Sequence, residues 1–337
     1  MKSPVTISIL LGLVVIAGVV WYMQANRFSI PSGETVPLTA PTNESNMTET
    51  TREIFITNGT KHSIPLDEIL SGGPGKDGIP SIDNPVFISA KESSFLNDTD
   101  PGVGLVVKGE ARFYPYRILV WHEIVNDTIQ GDPVLVTYCP LCATGIVFER
   151  KVAGAEQEFG VSGRLWRSNL LMYNRADDEK NESLWSQVLG EAVLGVNTGK
   201  KLAIVPSDIV RWTDWKKLHP DTKVLSADTG AARDYGRDPY GDYYTSESVS
   251  FGASFNDTRL HPKALVAGIE INGKYKAYSI DALKVGETQD TFEGKDVVVS
   301  KDSAGRIAVT ASGERVSHIP SFWFSWLAVH PETELFK

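Results

Sequence analysis

Two thiols three positions apart are the most reactive feature of this sequence. They lie in Cys139-Pro140-Leu141-Cys142, directly after the apolar run VLVTY, and the chain has no other cysteine. A pair at this spacing can form a small disulfide, act as a redox dithiol, or supply two ligands to a metal ion. The residues that follow, ATGIVF, predict a second strand, so no helix N-terminus stabilises a thiolate here. This strand–turn–strand pattern favours a knuckle of two thiolate ligands.

A metal site needs further protein ligands, and His122 is the best candidate. It lies in the segment WHEIVND (121–127), and the strand between this segment and Cys139 could bring the imidazole and the thiols together at its end. Two thiolates and one imidazole leave one coordination position open, as in catalytic zinc and in copper sites. We therefore expect a mononuclear copper or zinc site at Cys139, Cys142 and His122, serving metal handling or redox chemistry.

Glu123 and Asp127 are the candidate catalytic residues beside this site. The sequence predicts a short helix near residues 115–125, which would place the two carboxylates about one turn apart. Carboxylates in this position could orient the metal ligands or act as a general base.

Other interpretations of the cysteine pair remain open. Outside the cytosol the oxidised form is the default, so the pair could belong to an extracytoplasmic thiol–disulfide redox protein. It could also be an inert disulfide in a surface structural or binding protein, and whether the protein is an enzyme stays open. A Cys-His hydrolase is a poorer option, because nothing near the cysteines is an evident third, orienting residue.

Two further segments contain candidate substrate-binding residues. Arg164, in Ser162-Gly163-Arg164, could hold a carboxylate with two hydrogen bonds, although a buried ion pair is the more ordinary role. Residues 233–244, RDYGRDPYGDYY, form a loop interrupted by Gly and Pro, with Tyr240 as a candidate substrate contact. Loops of this length are often functional lids, and tyrosine-rich loops also bind carbohydrate or pack over a core.

The N-terminus predicts the compartment. Residues 7–22, ISILLGLVVIAGVVWY, contain no charged side chain and almost reach the length that spans a bilayer. We expect residues 1–26 to form a single-pass membrane anchor and residues 27–52 a disordered Ser/Thr/Pro linker, with the remaining chain outside the cell membrane. A cleaved signal peptide is the alternative, but no small-x-small cleavage site follows the apolar run.

Glycosylation sequons support an extracytoplasmic location. Seven asparagines begin an Asn-x-Ser/Thr sequon, and such enrichment fits a glycoprotein of an archaeal cell surface, with a eukaryotic secretory protein as the alternative. A glycan on one of them, Asn126, would argue against a tight pocket beside His122. The other six are the expected sites: Asn43, Asn46, Asn58, Asn97, Asn181 and Asn256. The net charge of −9 argues against a nucleic-acid partner, and a surface or redox protein partner stays unidentified.

Three ordered blocks recur along the chain and indicate an internal duplication. Residues 107–119 align with 269–281 at a shift of 162, which pairs Phe113 with Tyr275 and Tyr116 with Tyr278. The other blocks are 131–138 with 294–301, and the Trp-x-x-Trp-x-x-x-His-Pro segments at 212–220 and 323–331. The second copy lacks the cysteines, and the first contains an insertion at about 151–205.

The sequence thus predicts a β-rich α+β fold. An internally duplicated antiparallel β unit with short helices follows the transmembrane helix, with an elaborated first copy at 53–255 and a shorter second copy at 256–337. Strand patterns occur at 104–108, 134–138, 145–152, 263–273 and 295–300. Helix patterns occur at 66–70, 115–125, 207–218 and 322–329, and the paired tryptophans are expected in the core.

The WHEIVND, YCPLC and Trp-x-x-Trp-x-x-x-His-Pro segments together resemble a family of prokaryotic extracytoplasmic proteins, the domain of unknown function 3179. The resemblance extends from about residue 79 to residue 330. It implies an extracytoplasmic protein with a signal or anchor, and it implies no particular reaction. The family usually has Gly after the second cysteine, where this chain has Ala143, which departs from a strict knuckle. The other matching positions are His122, Glu123, Asn126, Asp127, Cys139 and Cys142.

Overall fold

The computed structural model describes residues 52–337, which form short strands, three α-helices and several 3-10 turns. The expected anchor, the linker up to residue 51 and the sequons at Asn43 and Asn46 lie outside these residues. Within residues 52–337, no helix has the length and apolar character needed to cross a bilayer. The prediction of a β-rich fold with short helices is confirmed.

Short strands account for most of the regular structure in residues 52–337. Eighteen strands precede residue 226: β1 Phe55–Thr57, β2 Thr60–His62, β3 Ile69–Ser71, β4 Phe87–Ser89, β5 Pro101–Val107, β6 Glu110–Pro115, β7 Ile124–Ile129, β8 Asp132–Cys139, β9 Thr144–Glu149, β10 Lys151–Val152, β11 Ala155–Glu156, β12 Phe159–Trp166, β13 Asn169–Asn174, β14 Ser183–Ser186, β15 Glu191–Gly195, β16 Ile204–Val205, β17 Asp208–Arg211 and β18 Lys223–Leu225. Eight follow: β19 Leu265–Ile271, β20 Lys274–Ser279, β21 Gly286–Phe292, β22 Lys295–Lys301, β23 Ile307–Ala311, β24 Glu314–Val316, β25 His318–Phe322 and β26 Glu334–Phe336. The helices are α1 Tyr116–His122, α2 Trp212–Leu218 and α3 Trp323–Val329.

Two sheets and two helices form a first unit. One sheet has the order β17-β5-β6-β18-β4 and the other has the order β16-β9-β8-β7. Strand β8 contributes side chains to two hydrophobic clusters, because successive side chains of a strand point to opposite faces of the sheet. Val134 and Val136 pack against Ile118 and Leu119 of α1. Cys139, at the end of β8, faces the opposite cluster, which contains side chains of β12 to β15.

A second unit repeats this connectivity with fewer elements. Its sheets have the orders β25-β19-β20-β26 and β21-β22-β23-β24. In each unit a hairpin (β5–β6 or β19–β20) has an antiparallel neighbour on one side, β17 or β25. On the other side it has a parallel neighbour, β18 or β26. Helix α3 follows β25 as α2 follows β17.

The sheet register corrects one aligned block. Gly104 pairs with Phe113 in the first hairpin, and Gly268 pairs with Ala277 in the second. Phe113 is therefore equivalent to Ala277, and the shift of 162 that matched it with Tyr275 was wrong by two residues. An alignment that favours aromatic matches has no information on hairpin register, which the two-residue turn sets.

The repeated tryptophans lie in the core, as expected. Trp215 and Trp326 are each about 1% exposed and lie against a glycine of the central hairpin. A Cβ atom at Gly104 or Gly268 would lie 2.4 Å from the facing indole ring, so both positions require glycine. The same glycine–indole contact in both units fixes how each helix packs on its sheet.

The inserted residues form most of a seven-stranded sheet. Its order is β1-β2-β15-β14-β13-β12-β3, and its inward side chains cover the cysteine end of β8. The helices are shorter than predicted, because α1 ends at His122 and residues 208–211 are strand β17. Of residues 66–70, Leu66–Glu68 form a 3-10 turn and Ile69 already begins strand β3.

Candidate thiol site

The cysteines lie on a tight turn between two strands, as predicted. Strand β8 ends at Cys139, Pro140–Cys142 form a 3-10 turn, and β9 begins at Thr144. Ala143 has φ 51° and ψ 36°, the left-handed conformation that glycine adopts at lower cost. The chain therefore makes this sharp turn without a glycine after the second cysteine.

Both cysteines are free thiols and are buried. The Cys142 thiol is 3.2 Å from Asn169 Oδ1 and 3.4 Å from the Ser168 carbonyl oxygen, and either oxygen can accept its single proton. Cys139 Sγ is 3.9 Å from the same Ser168 oxygen and within hydrogen-bonding range of Cys142. Burial, followed by the neighbouring Cys142 thiol, raises the pKa of Cys139 well above its ordinary value.

A strained hairpin turn supplies the acceptor oxygens. Arg167 and Ser168 connect β12 to β13 with φ values of 49° and 66°, a conformation that favours glycine. The Ser168 N–H donates to Phe251 O at 2.9 Å, and its hydroxyl donates to Ser250 O. These bonds hold the Ser168 carbonyl toward the thiols. Ser168 and Asn169 were not among the predicted site residues, although this polar pair interrupts the apolar segment around 165–173.

The Glu123 carboxyl lies close enough to Cys139 for its charge to act on the thiol. Glu123 is the residue after α1, with φ 60°, and its carbonyl accepts a hydrogen bond from the Tyr138 N–H at 2.8 Å. Its carboxyl is buried, and burial raises its pKa to about 8. The hydrogen bonds among residues 52–337 include none to this carboxyl, whose charge also raises the pKa of Cys139 and of Tyr240. A buried carboxyl whose pKa is shifted toward neutral pH marks this region as a candidate functional site.

Asp127 does not share this position. Because α1 ends at His122, Asp127 belongs to β7, and the prediction that it shares a helix with Glu123 was wrong. Its Oδ2 accepts hydrogen bonds from Arg112 Nη1 and Tyr114 Oη, each at 2.5 Å. Asp290 of the second unit makes the corresponding contacts with Lys276 and Tyr278 at 2.7 and 2.9 Å. This buried ion pair occurs in both units, including the one that lacks cysteines.

His122 is held away from the thiols. Its Nδ1–H donates to Pro80 O at 2.7 Å, and its Nε2 accepts from the Tyr235 hydroxyl at 2.6 Å. Burial lowers the pKa of His122, which favours this neutral ring. Residues 52–337 contain no group of three or more His, Cys, Asp or Glu side chains that could hold a metal ion. The structure thus holds Cys139 and Cys142 together, while the Glu123 carboxyl acts on Cys139 through its charge and makes no hydrogen bond to it. The hydrogen bonds of His122 direct its imidazole to Pro80 and Tyr235 instead.

Residues 233–244, which we call the tyrosine loop, cover the site. Tyr240 and Tyr243 pack against the cluster that contains both cysteines. The Tyr243 hydroxyl donates to Leu141 O at 2.8 Å, within the CPLC turn. The Lys263 ammonium lies 3.9 Å from the centre of the Tyr243 ring. These contacts fix the loop over the thiols, and Tyr240 is the predicted substrate contact that the structure does place at the site.

Arg164 lies elsewhere. It belongs to β12 and lines a cavity of about 680 Å³ together with Lys76, Tyr173 and Glu182. The cysteines are not among the residues that line this cavity. A substrate bound at Arg164 would therefore not share a pocket with the thiols.

Of the five sequon asparagines within residues 52–337, four are exposed to solvent and one is buried. Asn58, Asn97, Asn181 and Asn256 are exposed. Asn126 is buried, and its Nδ2 donates to Asp83 Oδ1 and Phe159 O at 2.7 and 2.8 Å. A glycan cannot occupy that side chain in this fold.

Fold and site together define a β-rich protein with two related units and a buried dithiol under an aromatic loop. The chain belongs to the family described as Protein of unknown function (DUF3179), whose model matches residues 76–313. No curated protein and no solved structure matches the chain.

Proposed function

We propose that this protein is a thiol–disulfide redox protein whose reactive pair is Cys139 and Cys142. One observation carries the proposal: Cys139 and Cys142 are free, buried thiols within hydrogen-bonding range of each other on one short 3-10 turn. The 3-10 turn keeps both sulfurs on one side of the chain, next to the same Ser168 oxygen. The pair can therefore close into a small disulfide without displacing a neighbouring strand.

The reaction is an exchange with a disulfide R–S–S–R. Cys139 gives up its proton, which R–S⁻ finally takes up, and the Cys139 sulfur attacks one sulfur of R–S–S–R, which forms a mixed disulfide and releases R–S⁻. Cys142 then loses its proton and attacks the Cys139 sulfur, which releases the second R–S⁻. The dithiol loses two electrons and two protons, and R–S–S–R gains both to become two R–SH. The reverse sequence reduces the protein.

Copper or zinc binding at the same thiols is the second candidate. The Leu170 N–H donates to the Cys139 sulfur, an arrangement that stabilises a metal-bound thiolate. Because both ring nitrogens of His122 are hydrogen bonded, a metal would need another third ligand or a rearrangement of the tyrosine loop. The hydrogen bonds of His122 therefore favour the redox function.

The cellular setting remains part of the proposal. A single-pass anchor at residues 1–26 and exposed sequons would place the thiols outside the cell membrane, where disulfides persist. The matching connectivity of the two units fits an ancestral duplication in which only the first copy holds the cysteines. The partner would then be a surface protein or small molecule that contains a disulfide.

The test is equilibration of the full chain in glutathione buffers, followed by acid quenching, alkylation and mass spectrometry. We expect a reversible loss of two hydrogens at Cys139 and Cys142. Metal content is measured on the same samples. A dithiol that no buffer oxidises would overturn the proposal. So would one equivalent of copper or zinc that protects both thiols and is lost in Cys139→Ser.

A further inference from the structure

A helix of the second unit contacts the residue that binds Cys142. Ser325 lies in α3, and its hydroxyl donates to Asn169 Oδ1 at 3.0 Å. The same Oδ1 accepts the Cys142 thiol proton at 3.2 Å. The Asn169 Nδ2 donates to Arg167 O at 3.0 Å, which identifies the amide oxygen as the atom that faces the thiol and the hydroxyl. All three side chains are fully buried.

These contacts depend on the redox state of the cysteine pair. A thiol donates one hydrogen bond, whereas a disulfide sulfur has no proton to donate. On oxidation, Asn169 Oδ1 and Ser168 O lose the one Cys142 proton that they can accept. Asn169 Oδ1 then keeps only the Ser325 hydroxyl as a donor in a buried environment, where a lost hydrogen bond costs free energy. The bond to Asn169 thus stabilises the dithiol relative to the disulfide. Ser325 holds the acceptor oxygen in the position that makes this bond.

We propose that Ser325 and Asn169 are positioning residues that favour the reduced form of Cys142, so that the second unit raises the reduction potential of a dithiol located in the first. This inference rests on the proposed redox function. It gives the second unit a role at the site although it holds no cysteine. The equivalent position in α2 of the first unit is Asp214, which instead pairs with Arg211.

The test is the equilibrium constant for oxidation by glutathione disulfide, measured on the full chain. Losing one hydrogen bond in Ser325→Ala should raise this constant about three- to tenfold. A tenfold change corresponds to about 30 mV for a two-electron couple. The matched control is Ser321→Ala, which removes another fully buried hydroxyl of the second unit, bonded to Phe322 O at 2.8 Å. The control should leave the constant within twofold of the wild-type value.

A double-mutant cycle separates positioning from general loosening. Because Ser325 acts through Asn169, its substitution should have little further effect in an Asn169→Ala background. Equal constants in wild type and Ser325→Ala, with reversible oxidation intact, would overturn this inference and leave the redox function standing. A shift of the same size in Ser321→Ala would also overturn it. A wild-type chain that forms no reversible disulfide would overturn both proposals.

Discussion

Replacing Glu123 by Gln should change the pH dependence of stability in a defined direction. Burial raises the pKa of Glu123 from an ordinary 4.5 to about 8 in the folded protein. Between these values the folded chain holds a proton that the unfolded chain has released, so the free energy of unfolding falls as the pH rises. Each pKa unit is equivalent to 1.36 kcal/mol, which gives a full cost of about 5 kcal/mol above pH 8. About 4 kcal/mol of this should appear between pH 5 and pH 8.5.

Gln keeps the shape of the protonated carboxyl and does not titrate. The free energy of unfolding of Glu123→Gln, relative to that of wild type, should therefore increase by about 4 kcal/mol when the pH is raised from 5 to 8.5. The measurement is urea unfolding of the reduced full chain at both pH values, because the difference between variant and wild type cancels the other titrating groups.

Glu110→Gln is the control for this experiment. Lys223, Arg112 and Gln130 hold the pKa of Glu110 at about 2 despite partial burial. The contribution of Glu110 to the free energy of unfolding is complete above the ordinary pKa of a Glu side chain and is lost only as the pH falls toward 2. The effect of Glu110→Gln on the free energy of unfolding should therefore be constant between pH 5 and pH 8.5. A gain below about 1 kcal/mol in Glu123→Gln over this range would refute the assignment of Glu123 as a protonated buried carboxyl.

Two further variants test the ion pair and the loop. Asp127→Asn breaks a buried ion pair with Arg112 and should lower the free energy of unfolding by about 3–5 kcal/mol, measured by chemical denaturation. A loss under about 1 kcal/mol would contradict the structural role of Asp127. Tyr243→Phe removes the bond to Leu141 O, and by easing local opening it should speed alkylation of the cysteines by iodoacetamide about fivefold. Tyr244→Phe is the control, because it removes a hydroxyl of the same loop that contacts Asp238 and not the CPLC turn. Equal rates in both variants would count against the Tyr243–Leu141 bond as the contact that holds the loop over the thiols.

Local sequence determined much of the local structure. The apolar run before Cys139 and the IVF run after Thr144 each need a paired strand, so the strand–turn–strand arrangement follows from residues close together in the chain. The Trp-x-x-Trp spacing likewise defines one buried helix face, which forms in both α2 and α3. These strands and helices could be predicted from the sequence because their patterns depend only on residues close together in the chain.

The composition of the site depended on contacts between distant segments. Asn169 and Ser325 are 156 positions apart, and Leu141 and Tyr243 are 102 apart, so no local pattern predicts that they meet. The end of α1 at His122 turned the imidazole toward Tyr235 and placed the Glu123 carbonyl on the Tyr138 N–H, one residue before Cys139. The sequence by itself identified the thiol pair and its turn. Only packing between distant segments decided which polar groups surround the thiols, because burial and hydrogen bonding there depend on the whole fold.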